Sequence, residues 1–119
     1  MIRFSIATNG FLSWFFRSLL MSFHSIDISK TVKIDKGLVL PHPIGITFGC
    51  YVVAAKNCTI YQNVTLGAKN NKYPTMCDGV TIYPNSVIVG DITLGRNATL
   101  GALSFLDRDL DDDEVFYTR

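Results

Sequence analysis

Residues 74–109 read PTMCDG VTIYPN SVIVGD ITLGRN ATLGAL SFLDRD, six blocks of six without interruption. Met76, Ile82, Ile88, Leu94, Leu100 and Leu106 take every third position, so one side-chain column is apolar throughout. The sixth positions include Gly79, Asn85, Asp91, Asn97 and Asp109, residue types that tolerate positive φ at a corner. Side chains alternate along a strand, so positions one and three share a face. Each block therefore reads as a short strand with two inward residues, followed by a turn.

The same frame extends toward the N-terminus. From Ile26 the blocks are IDISKT, VKIDKG and LVLPHP; after the pair Ile44-Gly45 come ITFGCY, VVAAKN, CTIYQN and VTLGAK. A second insertion, Asn70 to Tyr73, precedes the uninterrupted run, which brings the total to thirteen blocks. All thirteen third positions are apolar and ten are Ile or Leu, Ile28, Ile34, Leu40, Phe48, Ala54, Ile60 and Leu66 being the earlier ones. A flat sheet turning every six residues would leave open edges, whereas stacked coils pair each strand with those above and below. A parallel coil is the better solution.

At 119 residues the chain holds one core, since single domains take roughly 100 to 200 residues. The expected organisation is an apolar helical segment over 1–25, the repeat over 26–109 and an acidic tail over 110–119. The composition is 48% hydrophobic and 18% charged with net charge +1, which fits a globular protein and offers no clustered basic face for nucleic acid. Cys50, Cys58 and Cys77 form no CxxC pair, so free thiols in a reducing, cytoplasmic setting are expected. The N-terminal run holds Phe11, Leu12, Trp14, Phe15, Phe16, Leu19, Leu20, Met21 and Phe23, interrupted by Arg17. It is too short to span a bilayer, which takes about 20 residues, and no A-x-A cleavage site follows it. A helix packed against the repeat or a neighbouring subunit is expected, with a membrane-surface helix as the alternative.

The steps Phe48-Gly49, Leu66-Gly67, Leu94-Gly95 and Leu100-Gly101 resemble the hexapeptide-repeat proteins. That resemblance implies an all-β, single-stranded left-handed parallel β-helix with three blocks per coil. Ser25 to about Val115 is similar to the serine acetyltransferase branch, on Ile26-Asp27-Ile28, on His42 followed by Gly45-Ile46, on Asn63-Val64-Thr65-Leu66-Gly67, and on the loop ending at Tyr73-Pro74. The other histidine, His24, stands among apolar residues and reads as structural.

With eighteen residues per coil, Asp27 lies almost one coil above His42, and adjacent strands are about 4.8 Å apart. A carboxylate on one imidazole nitrogen leaves the other as a general base. By resemblance, His42 and Asp27 form the catalytic dyad and acetyl-CoA is the acyl donor. The resemblance further implies that the Gly67 backbone N–H, beside Ala68, stabilises the oxyanion. It places the pantetheine groove near Tyr83, Pro84 and Asn85, with Arg96 for CoA phosphates, and it implies a homotrimer whose active sites lie between subunits. The loop residues Lys72 and Tyr73 then read the acceptor. No metal is expected: γ-type carbonic anhydrases on the same coil need three histidines, and one stands in this repeat.

Serine-specific members carry an acidic residue before the histidine and an Arg-His pair in the loop, where this chain has Pro41 and then Lys72-Tyr73. PHPIGI and CTIYQNVTLGA look more like relatives that acetylate sugars in polysaccharide biosynthesis. A saccharide acceptor is therefore expected, with serine as the alternative. Outside enzymes the rival is a β-helix scaffold or an ice-binding coil, the latter requiring a regular threonine array; Thr47, Thr59, Thr65, Thr81, Thr93 and Thr99 share the second position but are missing from several blocks.

Overall fold

The computed structural model describes residues 14–15, 18–19 and 25–118. Residues 14–15 and 18–19 are helical; the rest of the apolar segment expected over 1–25, His24 included, lies outside the described residues, Ser25 apart. Thirteen short strands follow. They stack into a left-handed parallel β-helix with three faces.

The first face carries β1 (Asp27–Ile28), β3 (Thr47–Phe48), β6 (Thr65–Gly67), β9 (Val87–Val89) and β12 (Phe105–Leu106). On the second are β2 (Lys33–Ile34), β4 (Val53–Ala54), β7 (Thr75–Met76) and β10 (Thr93–Leu94). The third holds β5 (Thr59–Ile60), β8 (Thr81–Ile82), β11 (Thr99–Leu100) and β13 (Val115–Phe116). Every strand is parallel to its neighbours, and the pairs Asp27↔Thr47, Thr47↔Thr65 and Thr65↔Val87 show the coil lengthened wherever an insertion interrupts the frame. Ile44-Gly45 and Asn70 to Tyr73 are thus bulges at corners, and the register recovers after each.

The core is the third-position column with the first-position column beside it. Ile28, Phe48, Leu66, Ile88 and Leu106 fill the first face, each at most 1% exposed, and burying one such side chain is worth about 1.5–3 kcal/mol. Ser86 and Ser104 are the buried polar members. The Ser86 hydroxyl is satisfied at the Tyr83 and Gly101 carbonyls, 3.0 Å from each.

The corner between the second and third faces explains an alternation in the sequence. Gly37, Asn57, Gly79 and Asn97 follow one another up this corner, all at positive φ. A Cβ on Gly37 would stand 2.1 Å from Asn57 Oδ1, and one on Gly79 would stand 2.2 Å from Asn97 Oδ1. Each asparagine amide occupies the space that the glycine above leaves empty.

Two boundaries differ from expectation. The block LVLPHP forms only the bridge Val39↔Thr59, because Pro41 and Pro43 have no N–H to extend a ladder. At the other end the helix runs past Asp109. Leu110 is buried and bridges to Leu94, and β13 pairs with β11. The acidic stretch is a corner of this last coil: Asp112 Oδ1 accepts from the Arg96 N–H at 2.7 Å, and the Asp113 N–H donates to the Arg96 carbonyl at 2.8 Å.

Candidate active site

His42 lies on the exposed corner that leads from the third face into the first. Prolines at 41 and 43 fix φ on both sides of it. The Ile44 N–H donates to the His42 carbonyl at 2.8 Å, and the Asn63 N–H donates to the Ile44 carbonyl at 2.9 Å. Gly45 then re-enters the coil at positive φ directly over Asn63, where a Cβ would meet Asn63 Oδ1 at 2.3 Å. The two-residue insertion thus lifts His42 out of the corner and returns the chain to a glycine-over-asparagine contact.

Asp27 opens the first face, half-buried, and its N–H donates to the Ile46 carbonyl at 2.9 Å. Ile46 is four residues beyond His42, so the segment carrying His42 docks against the strand that carries Asp27. Below His42 on the same corner are Tyr61, ring centroids 6.4 Å apart, and Tyr83, stacked on Tyr61 at 5.0 Å and 14°. Pro84 and Asn85 continue that corner. Among the described residues of Pro41–Gly45, Tyr61–Asn63 and Tyr83–Asn85 there is no charged side chain apart from whatever charge His42 carries.

The remaining expected residues are distributed over the other two corners. Gly67 and Ala68 sit between the first and second faces. Gly67 is in register with Val89, and its carbonyl accepts from the Gly90 N–H at 3.3 Å. The position expected to donate to the oxyanion is therefore part of the ladder between two coils. What Gly67 leaves open is space, since an added Cβ would find only ordinary contacts, at 3.6 Å to Val89 and 3.9 Å to Thr65.

The loop after Ala68 is a tight hairpin. Lys69 and Lys72 exchange both backbone bonds at 3.0 Å, with Asn70 and Asn71 at positive φ, as a two-residue type I′ turn requires. Lys69 Nζ reaches Asp107 at 3.2 Å. Lys72 is exposed, but Tyr73 is committed to packing: its ring fills the place of the missing Gly49 side chain and meets Tyr51 edge-on at 5.6 Å. A hydrogen bond with Cys50 raises the Tyr73 hydroxyl above its ordinary pKa. Tyr73, expected to read the acceptor, packs its ring so as to anchor the hairpin. Arg96 lies on the third corner, its backbone tied to Asp112 and Asp113, apart from the Tyr83 groove it was expected to serve.

Tyr61 and Gln62 belong to the His42 corner and were not singled out by the sequence. Tyr61 was legible in principle, because it and Tyr83 share the fourth position of blocks one coil apart. Gln62 carried no signal. Burial raises the Cys58 thiol, which makes it a core residue. Among the described residues no group of His, Cys, Asp or Glu could hold a metal ion, and no helix is long and apolar enough to cross a membrane. The second-position threonines divide among three faces, so the two-dimensional array an ice-binding surface needs is not formed.

No family model matches the chain. Among curated proteins it is similar to a serine acetyltransferase of Buchnera aphidicola, 35% identical over 107 residues that cover 86% of this chain and 39% of the relative. Among solved structures it is similar to the serine acetyltransferase of Neisseria gonorrhoeae in complex with serine, at 31% identity and a TM-score of 0.81, covering 87% of this chain and 44% of that one. A serine acetyltransferase in complex with CoA aligns at 27% identity and a TM-score of 0.83, covering 90% of this chain and 45% of that one. The chain therefore spans less than half the length of these proteins.

Proposed function

We propose, from the premise that this coil is one of the hexapeptide-repeat family of the serine acetyltransferase type, that the chain acts in acetyl-CoA-dependent O-acetyl transfer with His42 as general base. The observation that carries the reading is the placement of His42: raised on a proline-flanked corner, exposed, and seated against the strand of Asp27. Acetyl-CoA supplies an acyl group activated as a thioester. Neutral His42 removes the proton from the acceptor hydroxyl as its oxygen attacks the thioester carbonyl. His42 then returns that proton to the departing CoA sulfur. Asp27 orients the imidazole and stabilises the imidazolium that forms. Gly67 and Ala68 give a thin pantetheine arm close approach to the backbone.

Gly67, Ala68 and Lys72 stand one corner away from His42, separated by a six-residue side of the coil, at most ~20 Å of extended chain. Assembly as a homotrimer, which the resemblance implies, would bring them into joint use by packing one copy's loop corner against the next copy's His42 corner. The names of the relatives favour serine as the acceptor over the sugar. A second reading, a sugar hydroxyl, is favoured by the uncharged His42 corner, which has no carboxylate for an ammonium group.

An acceptor screen decides, following CoA release by thiol detection with serine, nucleotide sugars and oligosaccharides. His42→Ala is expected to lower turnover by about 10²–10⁴-fold without changing the circular dichroism spectrum. Activity equal to that of the unsubstituted chain would sink the dyad.

A further inference from the structure

We infer that Gln62 is a substrate-binding residue of this site, accepting a hydrogen bond from an N–H or O–H group that flanks the reacting hydroxyl of the acceptor. The inference rests on the acetyl-transfer reading above. Its starting point is an imbalance: the Gln62 Oε1 atom is buried and has no hydrogen-bond partner among the described residues. Buried amide oxygens in folded proteins are almost always paired, because leaving one unpaired forfeits its hydration with nothing in return. A donor supplied from outside the described residues would complete the pairing.

The position of the orphan says what that partner is. The bridge Val39↔Thr59 on one side and the Asn63 N–H bond to the Ile44 carbonyl on the other bracket this corner, so His42 belongs to the segment that lies over Tyr61 and Gln62. The 6.4 Å contact of the His42 and Tyr61 rings agrees with that placement. The backbone of Gln62 is held in the coil. Its own carbonyl accepts from the Asn85 N–H at 3.1 Å, and the next residue holds Ile44 through its backbone.

The Ile44 N–H is already engaged by the His42 carbonyl, and Pro41 and Pro43 have no N–H to give. The amide is a neutral group on the coil below the segment that carries the base, and Pro41–Gly45, Tyr61–Asn63 and Tyr83–Asn85 include no carboxylate. A molecule whose hydroxyl reaches His42 places its neighbouring donor at this height. For serine that donor is the ammonium; for a sugar it is the adjacent hydroxyl.

Gln62 is the only glutamine of the chain, so selective 15N-glutamine labelling yields one side-chain NH2 pair. Titration of the full chain with serine, with a nucleotide sugar and with CoA is expected to move that pair saturably with one of the two acceptors and not with CoA alone. Gln62→Leu is expected to raise the acceptor KM on the order of tenfold while the acetyl-CoA KM stays constant; Gln62→Met, which keeps the side-chain length, does the same should the leucine variant fold poorly. A shift with CoA only, paired with a raised acetyl-CoA KM, overturns the assignment by moving Gln62 to the donor arm. No shift with any ligand, with unchanged kinetics and a higher Tm for Gln62→Leu, overturns it as a plain structural orphan. Absence of turnover with every acceptor would defeat the acetyl-transfer reading, while the titration would still decide Gln62.

Discussion

Tyr73 illustrates how a residue acquires its role from contacts rather than from its type. Its aromatic edge lies in the volume a side chain at Gly49 would need, at 2.6 and 2.8 Å from that absent Cβ. Tyr73→Ala is therefore expected to cost about 1–3 kcal/mol, measured by denaturant midpoint, and to loosen the 69–72 hairpin as seen by amide exchange. Gly49→Ala should produce the same loosening by pushing the ring out. A Tyr73→Ala chain of full stability would show that the ring is incidental. The coil positions of His42 and Asp27 were legible in the sequence because both sit at fixed offsets in a strict repeat. The Tyr73 contact joins coils across a bulge, and no local pattern records it.

Corner geometry is the property of the elements that the sequence states most openly. On the corner between the third and first faces, Asn63 and Asn85 adopt positive φ, and Leu103 does so in the next coil at +59° with 73% of its surface exposed. A branched, exposed Leu in that conformation costs about 1–2 kcal/mol relative to residues that visit it freely. Leu103→Asn is expected to raise stability by about 1 kcal/mol, readable as a higher Tm; a lower one would mean that Leu103 is covered by a partner. Gly79→Ala should act in the opposite sense, by about 1–3 kcal/mol, since it combines a φ of +74° with a Cβ 2.2 Å from Asn97 Oδ1. Asparagine in these blocks announces the turn. That glycine and asparagine alternate because one amide fills the space over the other becomes visible only when coils are stacked.

At the scale of the whole molecule, the last coil is closed by one side chain. Arg108 reaches from the first corner across the lower end, donating to Glu114 Oε2 at 2.8 Å and lying 4.7 Å over the Phe116 ring. The hydrogen bond from Arg108 holds the Glu114 carboxyl below the usual carboxylate range. A depressed carboxylate pKa contributes stability that is present above its unfolded value and disappears as pH falls through the folded one. The Tm should therefore hold on acidification to the ordinary carboxylate range and then decline, and Glu114→Gln should remove that part of the slope. An identical acid limb in the variant would assign the slope to other carboxylates.

The sequence by itself determined the coil, its inward columns and its two bulges, because a six-residue period commits every side chain to inside, outside or turn. Only the tertiary structure decided that the remaining expected residues divide among three corners, that Tyr73 is an anchor, that the acidic stretch is a further corner and that Gln62 is left unpaired. Those outcomes depend on which coil lies over which. Each insertion resets that register by an amount that the one-dimensional pattern shows as an interruption but cannot convert into contacts.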